Sequence, residues 1–246
     1  MYNVCMLLIT RPLAQTNNLE SLLVANGIDY ALFPAFEVKK FKPIALKQKY
    51  DVIIFISVNA VNYAEEYFKE IFIAPFRVFA VGPVTANQLL KKNITVDCHP
   101  QQNASSKELL KMRECLDLSG NKILIVRGKG GSETLKDNLS ASNEVDYFEV
   151  YERVPCEVTS LHKESILSFF NKSDGVLMAT SSESVINIMR LVKGISADFI
   201  ETLISKKIIV YSERLKDLAE DLGFKKIEIT NNPSDEDLVS QIINKK

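Results

Sequence analysis

Residues 122–155 read KILIVRGKGGSETLKDNLSASNEVDYFEVYERVP, and the fold is decided there. Ile123–Val126 is an apolar run that reads as a buried strand. Gly128–Gly131 is a glycine-rich turn, followed by a helix carrying Leu135 and Leu139. Asp146–Val154 reads as a second strand, ended by Pro155. A strand feeding a glycine turn and a helix start is how an α/β sheet presents backbone N–H groups to an anion. A weaker copy opens the chain: a strand at Met6–Arg11, a helix opened by Pro12 with Leu19, Leu22 and Leu23, and a stop at Gly27. Asp29–Val38 then reads as one strand, with Asp29-Tyr30 placed as Asp146-Tyr147 is.

Working outward, the same signals recur in order. Asp51–Ile56 and Arg77–Val81 are unbroken apolar runs, the pattern of parallel strands covered on both faces. The first stops at Ser57-Val58-Asn59, where a helix cap fits, and the second turns at Gly82-Pro83-Val84-Thr85 into a helix over Ala86–Lys92. Asn93 stands where a left-handed residue closes that helix. Thr95–Cys98 reads as a short strand, and Ser105 with Glu108 as a capping box. Beyond the opening stretch, Asp174–Thr180 leads through Ser181-Ser182-Glu183-Ser184 to a helix expected to stop at Gly194. Ile208–Tyr211 leads through Ser212-Glu213-Arg214 to a helix closed by Gly223. Ile227–Thr230 is a short strand, and Ser234 with Asp237 makes a second capping box. The series runs through twice, in 1–118 and 119–246, which reads as an internal repeat. Alternating strands and helices imply α/β architecture with parallel sheets, and two sheets suit 246 residues better than one. If Ala31–Val38 and Phe148–Pro155 cross between lobes, each repeat's first helix packs with the other repeat's later elements. Periodicity alone does not decide that exchange.

Composition narrows the function. Hydrophobic content of 46% with 25% charged residues is that of a globular chain. A net charge of −1 without a basic block argues against nucleic acid as a partner. No apolar stretch approaches the ~18 residues a membrane span needs, and no signal peptide opens the chain, so a cytoplasmic protein without membrane partners is expected. Cys5, Cys98, Cys115 and Cys156 form no C-x-x-C pair and read as reduced thiols. With two histidines, His99 and His162, a metal site is not expected. Gly128-Lys129-Gly130-Gly131-Ser132 matches neither nucleotide-binding glycine pattern.

A series of short motifs runs along the chain: Leu8-Ile9-Thr10-Arg11-Pro12, Phe33-Pro34, Phe55-Ile56-Ser57-Val58-Asn59-Ala60-Val61 and Val81-Gly82-Pro83-Val84-Thr85-Ala86. It continues through Val126-Arg127-Gly128-Lys129-Gly130-Gly131, Val150-Tyr151-Glu152-Arg153, Tyr211-Ser212-Glu213-Arg214 and Pro233-Ser234-Asp235. With this series the chain resembles the uroporphyrinogen-III synthase family along its whole length. The resemblance implies two flavodoxin-like lobes joined by a two-stranded linker: residues 1–35 with 158–246, residues 40–152, and linkers at 36–39 and 153–157. It implies the dehydrative cyclisation of hydroxymethylbilane to uroporphyrinogen III with ring D turned over, by a monomer that needs no cofactor and no metal. The partner implied is that substrate, handed over from the preceding pathway enzyme.

Such a substrate is a flexible polycarboxylate that closes spontaneously to the unrotated isomer, so orientation is the main demand. Backbone grips on its carboxylates are expected at the strand-to-helix turns, in an interlobe crevice: at Ser57 and Asn59, Gly82 and Thr85, Gly128, Lys129 and Gly130, and Ser181 and Ser182. Arg11 and Arg214 would add charge. Each turn is equally a plain helix cap, and each cation a solvated surface group. Tyr151 matches the tyrosine of the family's Val-Tyr motif and is the expected general acid, against the alternative of a packed linker tyrosine. Leu215 stands where Thr85 stands in the first copy, so a symmetric pair of threonines is not expected. The competing reading is a non-enzymatic bilobed small-molecule sensor.

Overall fold

The computed structural model describes residues 6–73, 76–102, 104–230 and 234–243; Cys5 and Pro233 lie outside them. The strands are β1 Met6–Ile9, β2 Asp29–Leu32, β3 Phe36–Lys40, β4 Val52–Phe55, β5 Arg77–Ala80, β6 Lys122–Gly128, β7 Glu144–Pro155, β8 Val176–Ala179, β9 Lys207–Val210 and β10 Lys226–Ile229. They form two five-stranded sheets, ordered β10-β9-β8-β1-β2 and β3-β7-β6-β4-β5. The chain divides into two compact units, Met1–Glu37 with Val154–Lys246, and Val38–Arg153.

Both sheets are built on the same plan. In the first, β2, β1, β8, β9 and β10 are neighbours in parallel. In the second, β7, β6, β4 and β5 follow in parallel, and a parallel bridge from Phe79 to Cys98 takes the last place. This is the flavodoxin-like order, with the β-α-β pair at one side and the later strands at the other. Each sheet combines a β-α-β pair from one half of the chain with strands from the other half: β1–β2 with β8–β10, and β6–β7 with β4–β5. The helix Asn17–Ala25 accordingly packs with Asp235–Ile243, and Thr134–Leu139 with Ser106–Leu110.

Central strands are apolar throughout because both their faces are covered. All four residues of β1, β4 and β8 are buried. Alternate residues serve opposite faces: Ile53, Phe55, Leu124 and Val126 join one core of the second unit, and Val52, Ile54, Ile123 and Ile125 the other. Leu8 and Leu177 serve one core of the first unit, and Leu7, Ile9 and Met178 the other. The edge strand β10 is charged, with Lys207 on β9 3.0 Å from Glu228.

Three local expectations are corrected. Asp29–Val38 is not one strand: β2 ends at Leu32 and β3, in the other sheet, begins at Phe36. Pro34 between them offers no N–H, and its carbonyl accepts from His162 Nε2 at 3.0 Å. Thr95–Cys98 shrinks to the single bridge at Cys98. There the Val78 N–H donates to the Asp97 side chain at 2.7 Å in place of a backbone carbonyl. The helix expected to stop at Gly194 runs over Ser182–Ile195. Gly194 instead permits a close approach, since a Cβ there would sit 3.2 Å from Val158. Left-handed closures do occur at Gly27, Asn93 and Gly223. Among the described residues no helix is long and apolar enough to cross a membrane.

Candidate functional site

In the second unit the turns at the carboxyl ends of β4, β5 and β6 carry most of the expected residues. Phe55 ends β4, and Ser57 then caps the helix Val58–Ala64, its Oγ accepting the Ala60 N–H at 3.1 Å. The same oxygen lies 3.1 Å from the Tyr151 hydroxyl, so a turn residue and a strand residue 94 positions apart share one hydrogen bond. Tyr151 reaches that place because β6 and β7 slip register after Arg127, bringing Gly128 opposite Tyr151. The ring occupies the space a Cβ on Gly128 would need, with Cε2 at 2.4 Å from the ideal position. It also packs against Tyr63, 5.7 Å between centroids. Tyr151 is 6% exposed, and its carbonyl accepts the Lys129 N–H at 2.7 Å.

The glycine turn itself is partly occupied. Gly130 and Gly131 have φ of 74° and 97°, a left-handed backbone that glycine adopts without strain. The Gly130 N–H donates to Glu149 Oε1 at 3.4 Å. The Lys129 ammonium lies 3.8 Å from Glu152 and 4.8 Å from the Phe41 ring centroid. Helix Thr134–Leu139 begins only after Glu133. Gly82 and Thr85 sit at the cap and third position of the helix Pro83–Lys91. A Cβ at Gly82 would fall 2.2 Å from that of Ala104, so the loop crossing there requires glycine. Asn59 is half-buried in the first turn of its helix. Neither Asn59 nor Thr85 is brought to Tyr151 by a hydrogen bond.

The remaining expected residues belong to the first unit. Ser181 caps the helix Ser182–Ile195, accepting the Ser184 N–H at 3.1 Å, while the Ser184 hydroxyl donates to the Ser181 carbonyl at 2.6 Å. Arg214 donates to the Ser182 hydroxyl at 3.1 Å, which unites two of the expected residues. Arg11 is ion-paired with Asp235 and donates to the Tyr211 hydroxyl at 2.8 Å, so its charge is already matched. Burial pulls the guanidinium down, but Tyr211 and then Asp235 outweigh it and the pKa is raised. Burial, opposed by Arg11, pushes the Tyr211 phenol up. Leu215 is buried in the core at the helix position where the other unit has Thr85.

Sequence reasoning passed over Arg127, Glu133 and Tyr147. Arg127 is 2% exposed at the end of an apolar strand. A charge inside an apolar run was the available signal, since such a group must find partners. Its guanidinium meets Glu133 at 3.1 Å and lies 4.3 Å from the Tyr147 ring centroid, and the Tyr147 hydroxyl donates to Glu133 at 2.6 Å. That hydrogen bond, with Arg127 beside it, holds the Glu133 carboxyl below the usual range. The Tyr147 phenol is pushed up, first by burial and then by Glu133. Burial also raises the Cys98 and Cys115 thiols, to about 12 and about 11, which leaves neither as a nucleophile at neutral pH. Among the described residues no group of three His, Cys, Asp or Glu could hold a metal ion.

A two-unit, flavodoxin-like α/β protein with serine- and glycine-bearing turns at the carboxyl ends of its strands is the class these features define. A family model described as "Uroporphyrinogen-III synthase HemD" matches residues 17–240. The chain belongs to the uroporphyrinogen-III synthase family, whose members are enzymes of porphyrin and haem biosynthesis. It is 27% identical to the uroporphyrinogen-III synthase of Escherichia coli strain K12, the match covering 95% of this chain and 98% of that one. The Salmonella typhimurium enzyme is 28% identical over the same shares. The structure of uroporphyrinogen-III synthetase from Helicobacter pylori 26695 shares the fold at a TM-score of 0.63 and 15% identity, over 99% of this chain and 100% of that one.

Proposed function

We propose that the chain closes hydroxymethylbilane to uroporphyrinogen III, with loss of water and with ring D turned over. The family match along 17–240 carries this reading. The chemistry asks chiefly for orientation. Loss of hydroxide from the bilane leaves an electrophilic carbon, and ring D must reach it through its already substituted carbon rather than its free one. Holding the chain in that conformation is an entropic task, worth up to ~7–11 kcal/mol in favourable intramolecular cases.

Tyr151 is the group proposed to protonate the departing hydroxyl. Its phenol offers an O–H donor to that oxygen. Ser57 Oγ already accepts the Ala60 N–H, so its own proton can be directed to the Tyr151 oxygen. The phenol proton then passes to the departing hydroxyl to give water, the serine stabilises the phenolate, and the proton released from the substrate on ring closure restores the phenol. The turns at Ser57–Asn59, Gly82–Thr85 and Ser181–Ser182 are proposed to grip the substrate carboxylates through helix-start N–H groups, which have no intrahelical acceptor. The Gly128–Gly130 turn lies ahead of its helix, with the Lys129 and Gly130 N–H groups already bonded, and is proposed to contribute through the Lys129 ammonium. Arg214 and Lys129 add charge at the same ends. At Arg11 a substrate carboxylate would share the guanidinium with Asp235. The reaction, as proposed, needs no cofactor, and the protein acts as a cytoplasmic monomer.

The experiment is product analysis. Fresh hydroxymethylbilane is incubated with the protein, the products are oxidised, and type I and type III isomers are separated by chromatography. Type III in excess over a protein-free control is expected. Type I alone from folded protein contradicts the proposal.

A further inference from the structure

Arg127 is a cation with nearly all of its side chain out of water, 3% exposed, and its donors converge on one turn. Nε donates to the Gly128 carbonyl at 3.1 Å, Nη1 to the Ser132 carbonyl at 3.4 Å and to Glu133 Oε1 at 3.1 Å, and Nη2 to the Gly130 carbonyl. Three carbonyls of residues 128–132 therefore face inward. In a trans peptide the carbonyl and the following N–H point in opposite directions. The N–H groups of Lys129, Gly131 and Glu133 are thus turned away from the guanidinium. The Lys129 N–H bears this out by donating to the Tyr151 carbonyl at 2.7 Å. Glu149 shows that a carboxylate can accept from this turn: its Oε1 takes the neighbouring Gly130 N–H at 3.4 Å.

We infer that Arg127 is a positioning residue for substrate binding, its guanidinium holding the glycine turn's carbonyls inward so that the Gly131 N–H faces a carboxylate of the substrate. The inference rests on the function proposed above and adds to it a residue that touches no substrate. Glu133 and Tyr147 complete the device by fixing the guanidinium from outside and below. A Cβ at Gly131 would lie 3.1 Å from Arg127 Nη2, a tight approach, at a φ of 97° that favours glycine.

The test is steady-state kinetics with hydroxymethylbilane for Arg127→Lys and Glu133→Gln beside the parent, each first checked for folding by far-UV circular dichroism. Lysine keeps the charge but loses the planar fork. For Arg127→Lys, KM is expected to rise about tenfold with kcat within about twofold, the signature of a lost binding interaction. Glu133→Gln, on a half-exposed side chain, is expected to raise KM about threefold. A merely structural Arg127 would lower the active fraction, and so kcat, and leave KM unchanged; that result overturns the inference. If Arg127→Lys does not fold, Glu133→Gln decides, and an unchanged KM overturns the inference. A parent that forms no type III isomer removes the proposed function, and the inference with it. A type III-forming parent whose folded variants keep its KM removes the inference alone.

Discussion

Tyr151 is fixed on three sides, by Gly128 beneath the ring, Tyr63 beside it and Ser57 at the hydroxyl. A phenol so held can act in one direction only, and its loss should affect the rate more than the fold. Tyr151→Phe is expected to lower kcat by about a hundredfold, within the usual range for general acid catalysis, and to leave KM within about twofold. The lost hydrogen bond costs about 1 kcal/mol, a fall in Tm of roughly 2–4 °C for a chain of this size. Stopped assays and a melting curve check both. At this scale the sequence offered Tyr151 through its motif and Ser57 through its place after an apolar run. Their meeting was not legible, because it depends on a register slip between β6 and β7 that no side-chain pattern marks. Arg127 was visible as a charge in an apolar run, but three of its partners are backbone carbonyls, which have no sequence signature.

Elements were read best where a side chain punctuates them. Ser57, Ser105, Ser181, Ser212 and Ser234 each accept the backbone N–H three residues on, as helix caps do. They were misread where a side chain takes the place of a strand partner, His162 at the Pro34 carbonyl and Asp97 at the Val78 N–H. The slip in β6 gives a prediction of its own. Gly128→Ala must displace the Tyr151 ring, so kcat is expected to fall to about the level of Tyr151→Phe, roughly a hundredfold. Unchanged kcat in that variant would separate the ring's position from the rate. A carboxylate on β7 of the same sheet gives a pH prediction. Asp146 accepts from Lys47 at 2.8 Å and from Tyr50 at 2.9 Å. The Lys47 hydrogen bond, then Tyr50, holds its carboxyl below the usual range. A depressed carboxyl pKa contributes stability above its unfolded value, about 3.9, and that contribution is lost as pH falls through the folded value. Urea midpoints measured from pH 6 downward should therefore drop less steeply below about pH 4 in Asp146→Asn than in the parent.

At the scale of the whole molecule, neither half of the chain contains a complete sheet. Residues 1–118 hold β1 and β2 without β8, and β4 and β5 without β6, so each set lacks its central neighbour. That fragment is expected to show no cooperative urea transition. Residues 36–155 contain every strand of the second sheet and are expected to unfold cooperatively, by circular dichroism, on their own. The alternation of strands and helices made the α/β class legible. Which strands pair across the halves was not, since exchange leaves the local pattern of every strand unchanged. In the proposed function the fold selects an isomer by orientation, with Tyr151 only quickening the loss of water. A single-turnover experiment, with protein in excess over hydroxymethylbilane and the isomers separated after oxidation, tests it for the parent and for Tyr151→Phe. Type III is expected from both, formed more slowly by the variant and with spontaneous type I making up the difference. Type I alone from the folded parent, at the rate seen without protein, would contradict the account.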